Sequence, residues 1–194
     1  MPKISRAGFL KLFLTFALVA AVAVGIMVWR EMRGPVLGGD FTLNYDGQEW
    51  SFSKNARALN LLYIGYVKCP DVCPMRMSYL AQAFHHLSAE QLKKVQMIFV
   101  SVDFAHDRPH SVAEYARQFN PQFVGLTGTK ADIQKTVDLF GASFMVEKDP
   151  KSYLGYSIVH TDRIFFLDDD GTVIDSVSSP QSYTEILDKI KEHL

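Results

Sequence analysis

Two cysteines, the only two in the 194-residue chain, mark the junction between a predicted strand and a predicted helix. The nearly unbroken apolar run 59–67 precedes Cys69 and Cys73, as expected of a strand that is buried on both faces. Pro74 follows them and fits the first turn of a helix, where its missing N–H costs nothing. The sequence therefore places both sulfurs in the loop and first turn at a helix N-terminus.

This placement favours reactive cysteines. The unpaired N–H groups and the dipole at a helix N-terminus stabilise a thiolate, and residues four apart on a helical turn can reach one atom. A structural disulfide between Cys69 and Cys73 would close so short a loop that it would constrain the unfolded chain very little. A dithiol redox site and a soft-metal site remain as alternatives, and we favour the metal. Two thiolates do not complete a structural zinc cage, whereas two thiolates and one histidine suit copper.

Strands that alternate with helices and end in a hairpin predict an α/β domain. We predict strands at 41–44, 48–52, 59–67, 95–102, 123–126, 144–146, 164–167 and 172–177, helices at 74–87, 107–119, 129–140 and 182–194, and a polar loop at 147–157. A cysteine pair between the first long strand and the first helix is the layout of a thioredoxin-like fold. The predicted architecture is therefore a three-layer thioredoxin-like domain.

The N-terminal segment predicts a membrane anchor. Residues 12–29 carry no charge and are long enough to cross a bilayer as a helix, and Lys3, Arg6 and Lys11 precede them. The basic side places the N-terminus in the cytoplasm and the rest of the chain on the periplasmic or an equivalent side. We therefore expect an N-terminus and transmembrane anchor at 1–33 and one domain at 34–194. A cleaved signal peptide is the alternative.

Composition and export limit the function. A net charge of −1 argues against nucleic acid as a partner, and a hydrophobic content of 48% is enough for one full core. Free cysteines in an oxidising compartment become oxidised unless a reductant or a metal protects them. An exported protein with one cysteine pair therefore needs one or the other.

His160 is the histidine that we expect at the cysteine pair, because it precedes the predicted strand 164–167 after a loop long enough to fold over a site. Surface roles are predicted for the remaining histidines, which are His85, His86, His106, His110 and His193. Asp71, between the cysteines, and Asp103, at the end of the second buried strand, are candidates to tune a bound metal through charge or a hydrogen bond.

Four stretches resemble the Sco/SenC family of copper metallochaperones for cytochrome c oxidase. They are Gly65-Tyr66-Val67-Lys68-Cys69-Pro70-Asp71-Val72-Cys73-Pro74, Ser101-Val102-Asp103 with Asp107-Arg108-Pro109, Gln122–Thr129 and Gly38–Leu43. The resemblance covers about Gly38 to Leu194. It implies a thioredoxin-like domain that binds one copper ion, as Cu(I) or Cu(II), through Cys69, Cys73 and His160.

The resemblance also implies partners. The copper would pass to the CuA centre in subunit II of cytochrome c oxidase or to another exported cuproprotein, after delivery by a copper donor chaperone. Some family members reduce the disulfide of their client's copper-binding cysteines. In that alternative function Cys69 and Cys73 would form a redox-active disulfide when oxidised, and a thiol reductant would restore them. A sensor role is a further alternative, although no output domain is evident.

Three positions depart from the pattern of the family. The family often has aspartate where this chain has Val159 and histidine where it has Lys68, and proline commonly stands at the position of Phe104. The changes at Val159 and Lys68 lower the negative charge near the site. We therefore expect this chain to hold Cu(II) more weakly than Cu(I).

Overall fold

The computed structural model describes residues 6–32 and 36–194, and the chain divides into two compact units between Val36 and Leu37. In the first unit, helix α1 spans Arg6–Met32. Among the described residues, no helix meets the requirements of length and apolar character for crossing a membrane. The prediction made from Lys3 falls outside the described residues, and those made from Arg6, Lys11 and part of 12–29 fall on side chains that the structure does not describe. The division at residue 33 stays a prediction.

The second unit is built on a five-stranded mixed sheet in the order β5-β4-β3-β8-β9. In chain order its elements are β1 Thr42–Tyr45, β2 Gln48–Ser51, α2 Phe52–Asn55, β3 Leu59–Gly65, α3 Val72–His85, α4 Ala89–Lys94, β4 Val95–Ser101, α5 Pro109–Phe119, β5 Val124–Leu126, α6 Lys130–Leu139, β6 Phe144–Lys148, β7 Tyr156–His160, β8 Arg163–Leu167, β9 Val173–Ser178 and α7 Tyr183–His193. This is the mixed α/β, thioredoxin-like arrangement that the sequence predicted.

Strands β3 and β4 form the centre of the core. Every residue of both strands is buried, and they pair in parallel from Leu59 opposite Val95 to Gly65 opposite Ser101. Strand β8 pairs antiparallel with the other edge of β3. Because parallel neighbours end at the same edge of a sheet, the loops that follow β3 and β4 lie side by side.

Two hairpins lie outside the central sheet. The dipeptide Asp46-Gly47, a sequence that by itself predicts a tight hairpin turn, joins β1 to β2, with φ of 49° and 89° at the two positions. Strands β6 and β7 form the other two-stranded sheet, in which Phe144 pairs with His160. The sequence predicted a loop over 147–157, but the strand-forming region continues to Lys148 and resumes at Tyr156. His160 therefore ends a hairpin strand. Helices α2 and α4 were not predicted.

Candidate metal centre

The loop between β3 and α3 places the cysteine pair at the end of the central sheet. Gly65 ends β3, and a Cβ atom there would lie 2.8 Å from the Cys73 sulfur and 2.9 Å from the Phe99 ring. Glycine is therefore needed where the Cys73 side chain crosses the strand end. The backbone N–H of Val67 donates to the Asp107 carboxylate over 2.9 Å, which anchors the loop to the loop after β4.

Helix α3 begins at Val72, two residues before the predicted start, so that Cys73 lies in its first turn. The Cys73 N–H donates to the sulfur of Cys69 over 3.5 Å. Both cysteines are free, and the exposed fraction is 9% for Cys69 and 0% for Cys73. The neighbouring residues Lys68, Pro70 and Asp71 carry the exposed surface of the loop. The sulfurs are thus covered, although the loop itself is not.

His160 reaches the cysteines from strand β7. Its Nε2 atom lies 3.4 Å from the Cys73 sulfur, and its Nδ1 atom lies 3.3 Å from the carbonyl oxygen of Thr161. The tautomer that carries the proton on Nδ1 donates it to that carbonyl and leaves the Nε2 lone pair free for a metal. The rings of Tyr63 and Tyr66 stand edge-on to the imidazole at 6.2 and 6.1 Å. The imidazole is therefore held with Nε2 toward the sulfur.

The structure brings together all three residues that the sequence singled out as ligands. The ligand atoms of Cys69, Cys73 and His160 all lie within 4.8 Å of one another. Ligands held about 2.0–2.3 Å from one ion stand about 3.5–4 Å apart in a trigonal arrangement, so a small closure of this triangle accommodates a metal. Two sulfurs and an imidazole form a soft donor set, which favours Cu(I) over hard cations.

The two thiols differ in acidity. The pKa of Cys69 is lowered to about 4, first by the hydrogen bond from Cys73 and further by His160 and by the backbone N–H groups of Asp71 and Cys73, against the opposing effect of burial. The pKa of Cys73 is raised by its hydrogen bond to Cys69 and by burial. The helix N-terminus was expected to favour a thiolate at both positions. Instead, Cys69 carries the negative charge and Cys73 keeps its proton, because two adjacent thiolates in a buried site repel each other.

The two predicted aspartates have different surroundings. Asp71 is exposed at the N-cap of α3, and its backbone N–H contributes to the lowered pKa of Cys69. The Asp103 carboxylate is buried, and it accepts hydrogen bonds from the Tyr156 hydroxyl over 2.5 Å and from His106 Nδ1 over 2.8 Å. Asp103 thus contacts the start of the strand that carries His160. The role of either carboxylate toward a metal stays a prediction.

Other clusters compete less well for a metal. His110 bonds to Asp46 over 2.7 Å on the surface, which separates it from the His106–Asp103 pair. A second group of metal-ligand type comprises Asp175, Glu192 and His193. The ammonium group of Lys189 lies 2.8 Å from Asp175 and 3.0 Å from Glu192, so a cation of the protein itself already pairs with both carboxylates.

Sequence reasoning missed three residues beside the ligands. The Tyr63 hydroxyl donates to Asp162 over 3.3 Å, and Asp162 forms an ion pair of 2.7 Å with Arg76. The available signal was Arg76 itself, which lies on the apolar face of α3 between the buried residues Cys73 and Leu80. A cation on a buried face requires a partner, but the sequence did not indicate which aspartate supplies it.

Comparisons with known proteins agree on one family. The family model described as SCO1/SenC matches residues 30–194. "Protein SCO2, mitochondrial" of Saccharomyces cerevisiae is 29% identical over 166 residues, which cover 85% of this chain and 55% of that protein. "Protein SCO2 homolog, mitochondrial" of Danio rerio is 32% identical over 171 residues, which cover 85% of this chain and 60% of that protein. The chain thus spans little more than half the length of these relatives.

A solved structure shares the fold. The crystal structure of Arabidopsis thaliana ScoI with copper bound superposes with a TM-score of 0.74 at 25% sequence identity, and the match covers 81% of this chain and 97% of that one. The match covers most of the Leu37–Leu194 unit, which holds all three candidate ligands.

Proposed function

The chain belongs to the SCO1/SenC family, and from this premise we propose that it is a copper carrier. Cys69, Cys73 and His160 bind one copper ion, which the protein delivers to the CuA site of cytochrome c oxidase subunit II or to another exported cuproprotein. The observation that carries this proposal is the convergence of the three ligand atoms within 4.8 Å. The copper bound in a related structure and the family resemblance of the cysteine loop support it.

The geometry favours transfer by ligand exchange. A site with two sulfurs and one nitrogen leaves copper at a low coordination number, so an incoming thiolate can add before a resident ligand departs. His160 is the ligand best suited to leave first, because it is half-buried and comes from a separate hairpin, whereas Cys73 is fully buried in α3. The protein then acts as a carrier that forms and breaks metal–ligand bonds without net chemistry on its own residues.

The proposal includes a membrane anchor at the N-terminus, with the cytoplasm on the N-terminal side and the copper site on the periplasmic or an equivalent side. The uncharged sequence 12–29 and the preceding basic residues support it. Such an anchor would keep copper exchange close to a membrane-embedded client. Fusion of a phosphatase that is active only outside the cytoplasm to the C-terminus tests the topology. An inactive fusion that is made in full would reject it.

The main experiment is an anaerobic Cu(I) titration of the reduced full-length chain beside its His160→Ala variant. We expect one tightly bound copper per chain and a sharp loss of affinity in the variant. Asp175→Asn is the matched control, since it alters the other cluster of ligand type and should leave the stoichiometry unchanged. Absence of stoichiometric binding, or binding indifferent to His160, would reject the carrier proposal.

A second candidate function is thiol–disulfide exchange that keeps the client's cysteines reduced. The observation that favours it is the Cys73 backbone N–H, which donates to the Cys69 sulfur over 3.5 Å. With the hydrogen bond from the Cys73 side chain as the largest cause, such contacts lower the pKa of Cys69 to about 4, and the thiolate is the attacking form. Attack by Cys69 on the client's disulfide would form a mixed disulfide, and Cys73 would release the reduced client while oxidising to the Cys69–Cys73 disulfide. A thiol reductant must then restore the pair. Under this function, His160→Ala should keep most of the dithiol activity.

A further inference from the structure

We propose that Arg76 and Asp162 are a positioning pair that holds the His160 imidazole at binding distance from Cys73. This inference rests on the proposed copper site and assigns a role to two residues outside the ligand set. Arg76 follows Cys73 by three residues on α3, and Asp162 follows His160 by two residues at the junction between β7 and β8. The pair therefore joins the helix that carries one ligand to the segment that carries another.

The contact between the two side chains fixes orientation as well as distance. Arg76 Nη2 lies 2.7 Å from Asp162 Oδ2, and Arg76 Nε lies 3.1 Å from each carboxylate oxygen. The side chains are only 5% and 20% exposed. A guanidinium and a carboxylate that meet through several hydrogen bonds restrict each other's rotation, unlike a solvated pair of point charges.

Both members of the pair are held by further contacts. Arg76 Nη1 donates to the Pro180 carbonyl over 2.7 Å, and the backbone N–H of Ser179 donates to the Asp162 carbonyl over 2.9 Å. The segment after β9 thus supports the pair from a third side. The Asp162 carboxylate and the Pro180 carbonyl together compensate the positive charge of Arg76 within the fold.

Tyr63 extends the network to the ligand His160. Its hydroxyl donates to the Asp162 carboxylate over 3.3 Å. Its ring stands edge-on to His160 at 6.2 Å. A displacement of Asp162 would therefore disturb the surroundings of the imidazole through Tyr63.

The topology explains why such a pair is needed. Strands β6 and β7 hydrogen-bond to each other in a two-stranded sheet, and within the described residues no ladder joins them to the central sheet. The central sheet resumes at Arg163 in β8, which pairs with Ser178. His160 thus lies just before the point at which the backbone becomes fixed by the central sheet. Asp162, at that point, is where a side-chain contact to α3 has the most direct effect on His160.

The test is a set of variants made in two backgrounds of the full-length chain. Arg76→Met and Asp162→Asn are introduced into the wild type and into His160→Ala, and Cu(I) affinity is measured by anaerobic competition with a chromophoric Cu(I) chelator. In the wild-type background we expect each variant to weaken binding about 10- to 100-fold, as is typical when a residue that orients a metal ligand is lost. In the His160→Ala background we expect no further loss, because the ligand that the pair positions is gone.

Controls separate positioning from general support of the fold. Lys189→Met removes an ion pair with Asp175 whose side chains are half-buried, and it should change the affinity in neither background. Arg76→Lys keeps the charge but loses the forked contact, and we expect an intermediate affinity. Circular dichroism and unfolding curves confirm that each variant is folded. If Arg76→Met does not fold, the Cu(I) affinities of Asp162→Asn and Arg76→Lys are compared between the two backgrounds instead.

A second readout follows the imidazole directly. In the metal-free protein, the nuclear magnetic resonance signals of the His160 ring should shift in Asp162→Asn while those of His85 stay in place. If Arg76→Met and Asp162→Asn lose equal affinity in both backgrounds, or lose none in either, the positioning role is rejected. The proposed copper site is not affected by that result. If the wild type and His160→Ala bind Cu(I) equally, the three-ligand site itself is rejected.

Discussion

Tyr156 donates its hydroxyl proton to the buried carboxylate of Asp103 across 2.5 Å, and this bond joins the start of β7 to the loop that follows β4. The His106 ring stacks on Tyr156 with a centroid distance of 4.7 Å and contacts the other oxygen of the same carboxylate. The β6–β7 hairpin is therefore attached near Tyr156 at one end of β7 and near Asp162 at the other. His160 lies between the two attachments.

Tyr156→Phe should lower the free energy of unfolding by about 1.5–3 kcal/mol, because a buried carboxylate loses a donor. Urea unfolding monitored by fluorescence measures the change. Tyr153→Phe is the matched control, since the Tyr153 side chain is exposed and its hydroxyl contacts the carbonyl of Lys68. Equal midpoints for the two variants would show that the bond to Asp103 contributes little.

Cys69 should react with iodoacetamide at a rate that is independent of pH between about 6 and 8 in the reduced, metal-free protein. The physical reason is the pKa of Cys69, which is about 4, so that this thiol is fully deprotonated across the whole range. Cys73 should label far more slowly because its pKa is raised. In Cys73→Ala the main hydrogen bond to the thiolate is lost, so labelling of Cys69 should rise with pH. Mass spectrometry assigns the site, and a pH-dependent rate in the wild type would contradict the prediction.

Gly65→Ala should destabilise the protein by about 1–3 kcal/mol through overpacking, since the new methyl group would lie 2.8 Å from the Cys73 sulfur. Cu(I) affinity should fall as well, because the sulfur must move. Gly128→Ala serves as a control, because the nearest atom to its Cβ is a flexible Leu43 methyl group at 3.0 Å. Thermal unfolding and chelator competition give the two readouts. Unchanged affinity in Gly65→Ala would mean that the sulfur position tolerates the methyl group.

Cu(I) should stabilise the folded chain, and a strong Cu(I) chelator should abolish the effect. At a free copper concentration 100-fold above Kd, a ligand that binds only the folded state adds about 2.7 kcal/mol to the free energy of unfolding. His160→Ala should gain less at the same copper concentration, since its affinity is lower. Anaerobic thermal scans of both proteins, with and without copper, measure the difference.

Lys68→His and Val159→Asp should each raise the affinity for Cu(II) relative to that for Cu(I). The substitutions remove a positive charge or add a negative one near the ligands, and Val159 directly precedes His160 with 55% of its surface exposed. Parallel titrations with Cu(I) and Cu(II) give the ratio for each variant. Ratios equal to that of the wild type would reject this account of the departures from the family pattern.

The sequence predicted the central elements because each of them carries a strong local signal. The apolar runs of β3 and β4 identified buried strands, Asp46-Gly47 identified a hairpin turn, and Cys69 and Cys73 marked the start of α3. Strand β7 was missed because four of its five residues are exposed or only half-buried, and half-buried strands in a hairpin lack a continuous apolar run.

The ligands of the candidate site could be predicted from the sequence, but the residues that surround them could not. Cysteine spacing and family resemblance singled out Cys69, Cys73 and His160, which lie together in the structure. The ion pair of Arg76 with Asp162 was not predictable, because the two residues are separated by 86 positions in sequence and only the packed fold shows which charges meet. The unequal acidity of the two cysteines likewise depends on the hydrogen bond between them and then on how deeply each sulfur is buried, and local sequence specifies neither.

The contact between Cys73 and His160 spans 87 positions of the chain. Contacts of such long range require the chain to close a long loop, which costs conformational entropy before the contact can form. A nascent or misfolded chain would present the two thiols of a short loop without the imidazole, and its hold on the metal would be correspondingly poor. Full occupancy would thus be reserved for chains that have finished folding, which makes copper loading a form of quality control on the carrier itself.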